Sequence, residues 1–189
     1  MEPLLGKFLG RGVERFCYEN LNNPGTCLKV SKKTLSKQTL REVSYFRYLQ
    51  KKGIQPSFMP KFIGLHENND SYILEQEYFK SNQTQVVTGL KDFIAQAKDE
   101  DIRELENFLP KIKEEMVRLN VIVSDMRTTN FLVITQDKKI SKVIIFDGYG
   151  APEFLHLPNI CPLLGKLKIE RQWKKFLRYY STEKNKRFK

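Results

Sequence analysis

The sequence is poor in the residues that build metal sites and disulfide frameworks. Three cysteines (Cys17, Cys27, Cys161) and two histidines among 189 residues follow no metal-ligand spacing, so neither a zinc site nor a disulfide scaffold is expected. Reduced thiols in a cytoplasmic protein are the expectation instead. No apolar run reaches the roughly 18 residues a membrane-spanning helix needs. The first residues, Met1-Glu2-Pro3-Leu4-Leu5-Gly6-Lys7, lack a secretory pattern. Acidic residues are outnumbered, 22 Asp and Glu against 33 Lys and Arg, for a formal net charge of +11. That balance favours polyanionic partners: a nucleotide, a phosphorylated substrate, nucleic acid or an anionic membrane. Charge alone does not choose among them. What is present is enough apolar material for a core, 40% hydrophobic with 12% aromatic, which argues against global disorder.

The chain opens on Leu9-Gly10-Arg11-Gly12-Val13-Glu14-Arg15-Phe16-Cys17-Tyr18, which reads as a strand, a tight turn and a strand. Glycines at Gly10 and Gly12 let backbone N–H groups approach phosphate oxygens with no Cβ in the way; an ordinary hairpin turn is the plain alternative. Arg15 either adds a cation near phosphates or points to solvent. Asn22-Asn23-Pro24-Gly25 is a strong turn signal that closes a hairpin into Thr26-Cys27-Leu28-Lys29-Val30, with Lys29 between apolar neighbours. From Thr39 to Lys51, apolar residues recur at spacings of three and four, which predicts an amphipathic helix. Glu42 lies on its first turns, placed to pair with Lys29 or, at the surface, with Arg41. Two further strands, Pro60–Glu67 and Ser71–Tyr78, complete five strands and one helix over residues 1–79. Residues 75–88 form a hinge and polar linker, and Glu75 to Phe79 would offer backbone groups to an adenine edge. His66 has no chemical partner in this reading and is taken as structural or solvent-facing.

In the second half, a short helix starts at Gly89. From Asp99, Ile102, Leu105, Leu109, Ile112, Met116 and Leu119 give the strongest helical period in the chain. Pro110 is expected to kink or split that helix. It delivers Val123-Ser124-Asp125-Met126-Arg127-Thr128-Thr129-Asn130-Phe131-Leu132-Val133. Asp125 and Asn130 stand five positions apart on a loop entering a strand. A second apolar run, Lys142 to Phe146, ends on Asp147-Gly148. One rigid loop can then face Asp125 and Asn130 into one cleft, and the neighbouring strand brings Asp147 there. Singly, each of the three reads first as a structural residue: Asp125 as a helix C-terminal loop or turn residue, Asn130 as a turn residue and Asp147 as the start of a tight turn before Gly148. A final amphipathic helix, Leu164 to Tyr180, carries a basic face (Lys166, Lys168, Arg171, Lys174, Lys175), and residues 181–189 form a basic tail, frayed from Lys184.

In this order the parts resemble the phosphoryl-transfer apparatus of protein kinases. Through Leu9-Gly10-Arg11-Gly12, Cys27-Leu28-Lys29-Val30, Arg41-Glu42-Val43, Asn130-Phe131-Leu132 and Glu170-Arg171-Gln172-Trp173-Lys174-Lys175-Phe176, nearly the whole chain is similar to the YrbL family (PhoP regulatory network protein YrbL), small bacterial proteins related to protein kinases. The resemblance implies an α+β, minimal protein-kinase-like fold: a five-stranded antiparallel N-lobe with one helix (1–79) and a truncated, mostly helical C-lobe (89–180), forming one kinase-like domain. It implies ATP and Mg²⁺ as cofactors. Asp125 would be the catalytic base, and Asn130 and Asp147 the metal ligands. Lys29, oriented by Glu42, would hold the α- and β-phosphates under Gly10 and Gly12. Arg127, where such loops carry Lys, would steady the transferring group. Arg15 stands at the third glycine position and Cys17 at the following Val position. Gly150-Ala151-Pro152-Glu153 follows Asp147 too soon to close an activation segment. The expected partners are a nucleotide and a hydroxyl acceptor or a regulatory protein. One alternative is a catalytically silent kinase-like binding module. Another is a basic nucleic-acid or anionic-membrane binder, the former disfavoured by the lack of a helix-turn-helix or RNA-binding signature.

Overall fold

The computed structural model describes residues 3–150 and 161–187. Ala151-Pro152-Glu153 and the loop read around Pro158 lie outside the described residues. The chain divides into two compact units, Met1–Gln55 with Pro60–Lys80, and Pro56–Met59 with Ser81–Lys189.

The first unit is a five-stranded sheet with one long helix. Strands β1 (Leu5–Arg11), β2 (Phe16–Asn20), β3 (Thr26–Lys32), β4 (Phe62–Glu67) and β5 (Ser71–Glu77) stand in the order β1-β2-β3-β5-β4. Every pairing is antiparallel. The central strand β3 is the most buried, which suits its Cys27-Leu28-Lys29-Val30 sequence. Helix α1 (Lys37–Lys51) supplies Val43, Phe46 and Leu49 to the core with Leu28 and Leu74. Phe46 stacks on Phe62 at 5.2 Å between ring centroids. The helix ends in a Schellman motif: Ile54 N–H donates to Leu49 O at 2.9 Å and Gly53 N–H to Gln50 O at 2.9 Å. Gly53 takes the left-handed conformation this cap needs, φ 67°.

The second unit holds β6 (Gln85–Gly89), α2 (Leu90–Gln96), α3 (Asp99–Leu119), β7 (Phe131–Gln136), β8 (Lys139–Ile145) and α4 (Pro162–Lys186). Its three strands form an antiparallel sheet, β6-β7-β8. The polar stretch expected to be linker therefore contains a strand. Val86 and Val87 are its only apolar residues, and it is held by pairing with β7 rather than by its own pattern. Pro110 neither splits nor ends α3, which runs unbroken for 21 residues. It sits on the exposed side, where the Glu106 carbonyl it leaves unbonded can meet water.

Helix α4 reaches beyond the expected end at Tyr180, and the tail does not fray at Lys184. Lys184 Nζ donates to Glu106 Oε1 at 2.7 Å, and Arg187 reaches Ala97 O and Asp99 Oδ1, the latter at 3.2 Å. The inner side of α4 packs through aromatic contacts: Phe176 stacks on Phe131 at 4.7 Å and lies tilted against Trp173 at 5.1 Å. Ile102, Leu105, Leu109, Ile112 and Met116 form the buried stripe of α3.

Candidate active site

In the first unit, the glycine turn is closed by Gly12 N–H donating to Arg15 O at 2.8 Å. Neither Gly10 nor Gly12 has a positive φ. A Cβ at Gly10 would meet nothing within 4 Å, and one at Gly12 only Arg15 O at 3.7 Å. The fold itself thus does not require glycine at either place.

Arg15 neither reaches outward nor points to solvent. It is buried, 5% exposed, and its Nη1 is ion-paired with Glu42 Oε2. Glu14 beside it accepts a hydrogen bond from Gln38 N–H, 3.0 Å, at the first turn of α1. Two side chains therefore pin the turn to the helix. Glu42 is 1% exposed, which rules out the surface pair with Arg41. Lys29 Nζ lies 3.9 Å from the same Glu42 Oε2, so the pairing of Lys29 with Glu42 is present but shared with Arg15. Glu42 Oε1 is buried without a hydrogen-bond partner. Cys17 faces Lys29 across the β2–β3 ladder, and a hydrogen bond from the Cys17 side chain, together with burial, pushes the Cys27 thiol well up, keeping it protonated.

The stretch from Glu75 is built differently from expectation. Glu75 is a buried carboxylate that accepts from Asn20 Nδ2 at 3.0 Å, Asn23 Nδ2 at 2.8 Å and Thr26 Oγ1 at 2.8 Å. His66 Nε2 lies 2.7 Å from its other oxygen, so His66 does have a chemical partner. Burial would raise the Glu75 carboxyl, but the hydrogen bonds of His66, Thr26 and Asn23 outweigh it and hold the group below the ordinary glutamate value. The next backbone donors are already engaged: Glu77 N–H bonds Lys61 O and Tyr78 N–H bonds Gly25 O, both at 2.8 Å. An adenine edge at this stretch would have to use other backbone groups. An open hollow of about 740 Å³ beside the β4–β5 hairpin includes His66, Glu67 and Asp70 in its lining but none of the sequence-predicted site residues.

The second unit brings Asp125, Arg127, Asn130 and Asp147 together. Asn130 Nδ2 donates to Asp125 O at 2.9 Å, which fixes the loop and leaves the amide oxygen as its acceptor end. A short 3₁₀ turn, Thr128–Asn130, carries Asn130 into β7. Phe146 N–H donates to Asn130 O at 2.9 Å, placing Asp147 directly after a residue bonded to Asn130. Ser124 and Asp125 N–H both donate to Gly148 O, at 2.8 and 3.2 Å, and Val123 bridges Tyr149. Gly148 takes φ 89°, and a Cβ there would stand 2.6 Å from Asp125 O. The glycine after Asp147 is therefore a contact residue, a role that the reading of Asp147 as a turn former does not capture. Asp125 is half exposed and its Oδ1 lies 3.2 Å from Arg127 Nε.

Comparison with known proteins gives the family and the fold. The profile of the family described as PhoP regulatory network protein YrbL matches residues 5–181. The chain belongs to that family. No curated protein sequence matches it. Among solved structures, this YrbL-family chain is similar to the protein kinase Rad53, residues 1–466, in complex with AMP-PNP, at a TM-score of 0.53 and 19% identity. The match covers 75% of this chain and 36% of the Rad53 chain, so the YrbL-family chain spans about a third of the protein it resembles. At that identity the likeness shows the fold: α+β and kinase-like.

Proposed function

We propose that this YrbL-family chain is an ATP- and Mg²⁺-dependent phosphotransferase acting on a hydroxyl acceptor. The observation that carries the reading is the docking of Asp147-Gly148 onto the Asp125–Asn130 loop through the Gly148 carbonyl and the Asn130 backbone. That docking gathers the half-exposed Asp125 carboxylate with two oxygen donors, on Asn130 and Asp147, of the kind magnesium takes. Among the described residues no cluster of three or more His, Cys, Asp and Glu side chains could hold a metal by itself. A site of Asn130, Asp147 and substrate phosphates fits an ion that keeps few protein ligands. Magnesium, when bound, would offset charge on the phosphates.

The chain's own residues would do the rest. Asp125 accepts the hydroxyl proton. Arg127 stands beside it as a permanent cation for the transferring group. Lys29, set by Glu42, holds phosphate charge. Gly10, whose missing Cβ has open space around it, leaves its backbone approachable by phosphate oxygens. The Rad53 structure contains AMP-PNP, which supports a nucleotide as the ligand here. The testing experiment is calorimetric titration of ATP, with and without Mg²⁺, on the wild type and Asp147→Ala. Magnesium-dependent binding that weakens in the variant is the expected result.

The Arg127–Asp125 contact favours a second reading, because it occupies one lone-pair direction of the proposed base. In that reading the chain is a silent kinase-like module that binds a regulatory protein. Absence of ATP binding at millimolar concentration would select it.

A further inference from the structure

We propose that the outer face of α4 docks the protein onto an anionic lipid bilayer, as a peripheral contact rather than a span. The helix is fixed to its unit by Ile169, Trp173, Phe176 and Tyr180, all buried. Among the described residues, nothing is packed over its opposite side. Leu163 and Leu167, one turn apart, are 68% and 61% exposed. Continuing along the same face at helical spacing come Arg171, Lys174 and Arg178, all exposed, with Leu164 and Lys175 on one flank and Leu177 on the other.

The helix carries eight Lys and Arg against two Glu, and Arg171, Lys174, Lys175 and Arg178 lie exposed on or beside this face. Both acids are already engaged: Glu170 with Lys113 at 2.8 Å and Glu183 with Lys186 at 3.0 Å. The face is therefore strongly cationic and, at its N-terminal end, apolar. A nucleic acid would use the cations but has no use for solvent-exposed leucines. A bilayer uses both: leucines enter the acyl boundary while the basic side chains stay at the headgroup phosphates. A single convex helix face needs no complementary groove to make that contact. Among the described residues no helix is long and apolar enough to cross a membrane, so the mode is surface attachment. This inference is independent of the phosphotransferase reading.

The test is co-sedimentation of the full chain with phosphatidylcholine vesicles, with and without phosphatidylglycerol. Binding to the anionic vesicles alone is expected. Arg171→Glu with Lys174→Glu should weaken it by about 25-fold or more, at roughly fivefold per basic residue lost. Leu163→Ser with Leu167→Ser should weaken it about fivefold with an unchanged far-ultraviolet dichroism spectrum, since both leucines lie outside the core. Absence of binding to anionic vesicles overturns the proposal. So does a leucine variant that binds like the wild type, because the face would then read charge alone. Tighter binding to duplex DNA than to the vesicles at the same ionic strength overturns it in favour of nucleic acid.

Discussion

Arg15 and Glu42, 27 positions apart in sequence, form a buried ion pair between the glycine turn and α1. Breaking such a pair from one side leaves a charge stranded, whereas replacing both partners by apolar groups is often close to neutral. Arg15→Met should therefore destabilise the protein by about 3 kcal/mol, the low end of the usual range, because Lys29 at 3.9 Å remains to share the carboxylate. The double variant Arg15→Met with Glu42→Leu should be less unstable than the sum of the two singles but not restored to wild type, because the buried Lys29 ammonium also loses Glu42. Urea unfolding of the wild type, the two single variants and the double variant measures the coupling. A double variant as unstable as the sum of the singles would show that the pair is not the unit described.

Gly148 and Gly25 have nearly the same φ, 89° and 90°, but different surroundings. A Cβ at Gly25 meets nothing within 4 Å, while one at Gly148 meets Asp125 O at 2.6 Å. Gly25→Ala should cost only the left-handed backbone penalty, about 1 kcal/mol. Gly148→Ala should cost clearly more, about 2–3 kcal/mol, because backbone must move. It should also weaken Mg²⁺-dependent ATP binding, since the displaced loop carries Asp147. Thermal unfolding and calorimetry on the two variants side by side separate conformation from contact.

Much of this site is legible in the sequence, and what is not shares one cause. Asp125, Asn130 and Asp147 are recognisable because local spacing fixes their relation: one short loop, then a strand pair. Lys29 is recognisable for the same reason, sitting alone in an apolar strand. Arg15 is not, because its position predicts only that it replaces a glycine; its partner is 27 residues away. The link of His66 to Glu75 is hidden likewise, since it depends on β4 pairing with β5 in a register that no local pattern states. Strand β6 is masked by its polar residues and is organised by β7. Pro110 misleads because propensity penalises proline inside a helix, whereas the apolar stripe buried along α3 outweighs that local cost.

The Glu75 cluster sets an acid limit on stability. Its carboxyl is held below the ordinary value of 4.5 in the folded protein. A depressed acid stabilises the fold fully above its unfolded value and loses that contribution as pH falls through the folded one. Stability should therefore be flat in this term above about pH 5 and decline below roughly pH 4.5. Glu75→Gln should be less stable at neutral pH and show a shallower acid decline, measured as urea midpoints from pH 7 to pH 3.5. An unchanged slope in the variant would assign the acid sensitivity to other carboxylates.

Asp125 offers the sharpest separation of binding from chemistry. Its backbone oxygen, not its carboxylate, receives Asn130 and adjoins Gly148. Asp125→Asn therefore preserves the loop's anchoring bonds and changes only the half-exposed carboxylate and its contact with Arg127. ATP affinity should stay within about twofold, because the proposed metal ligands and phosphate-holding residues are untouched. Phosphoryl transfer, followed as ³²P incorporation or ATP consumption, should fall by about 10²–10⁴-fold, the usual worth of a positioned general base. Arg127→Ala is the paired control: it frees the Asp125 carboxylate but removes the neighbouring cation. If Arg127 acts on the transferring group, turnover falls in this variant too. If it merely occupies the base, turnover rises. A variant Asp125→Asn that turns over like the wild type would move the proton-accepting role away from this loop and leave the fold with a nucleotide site but no base.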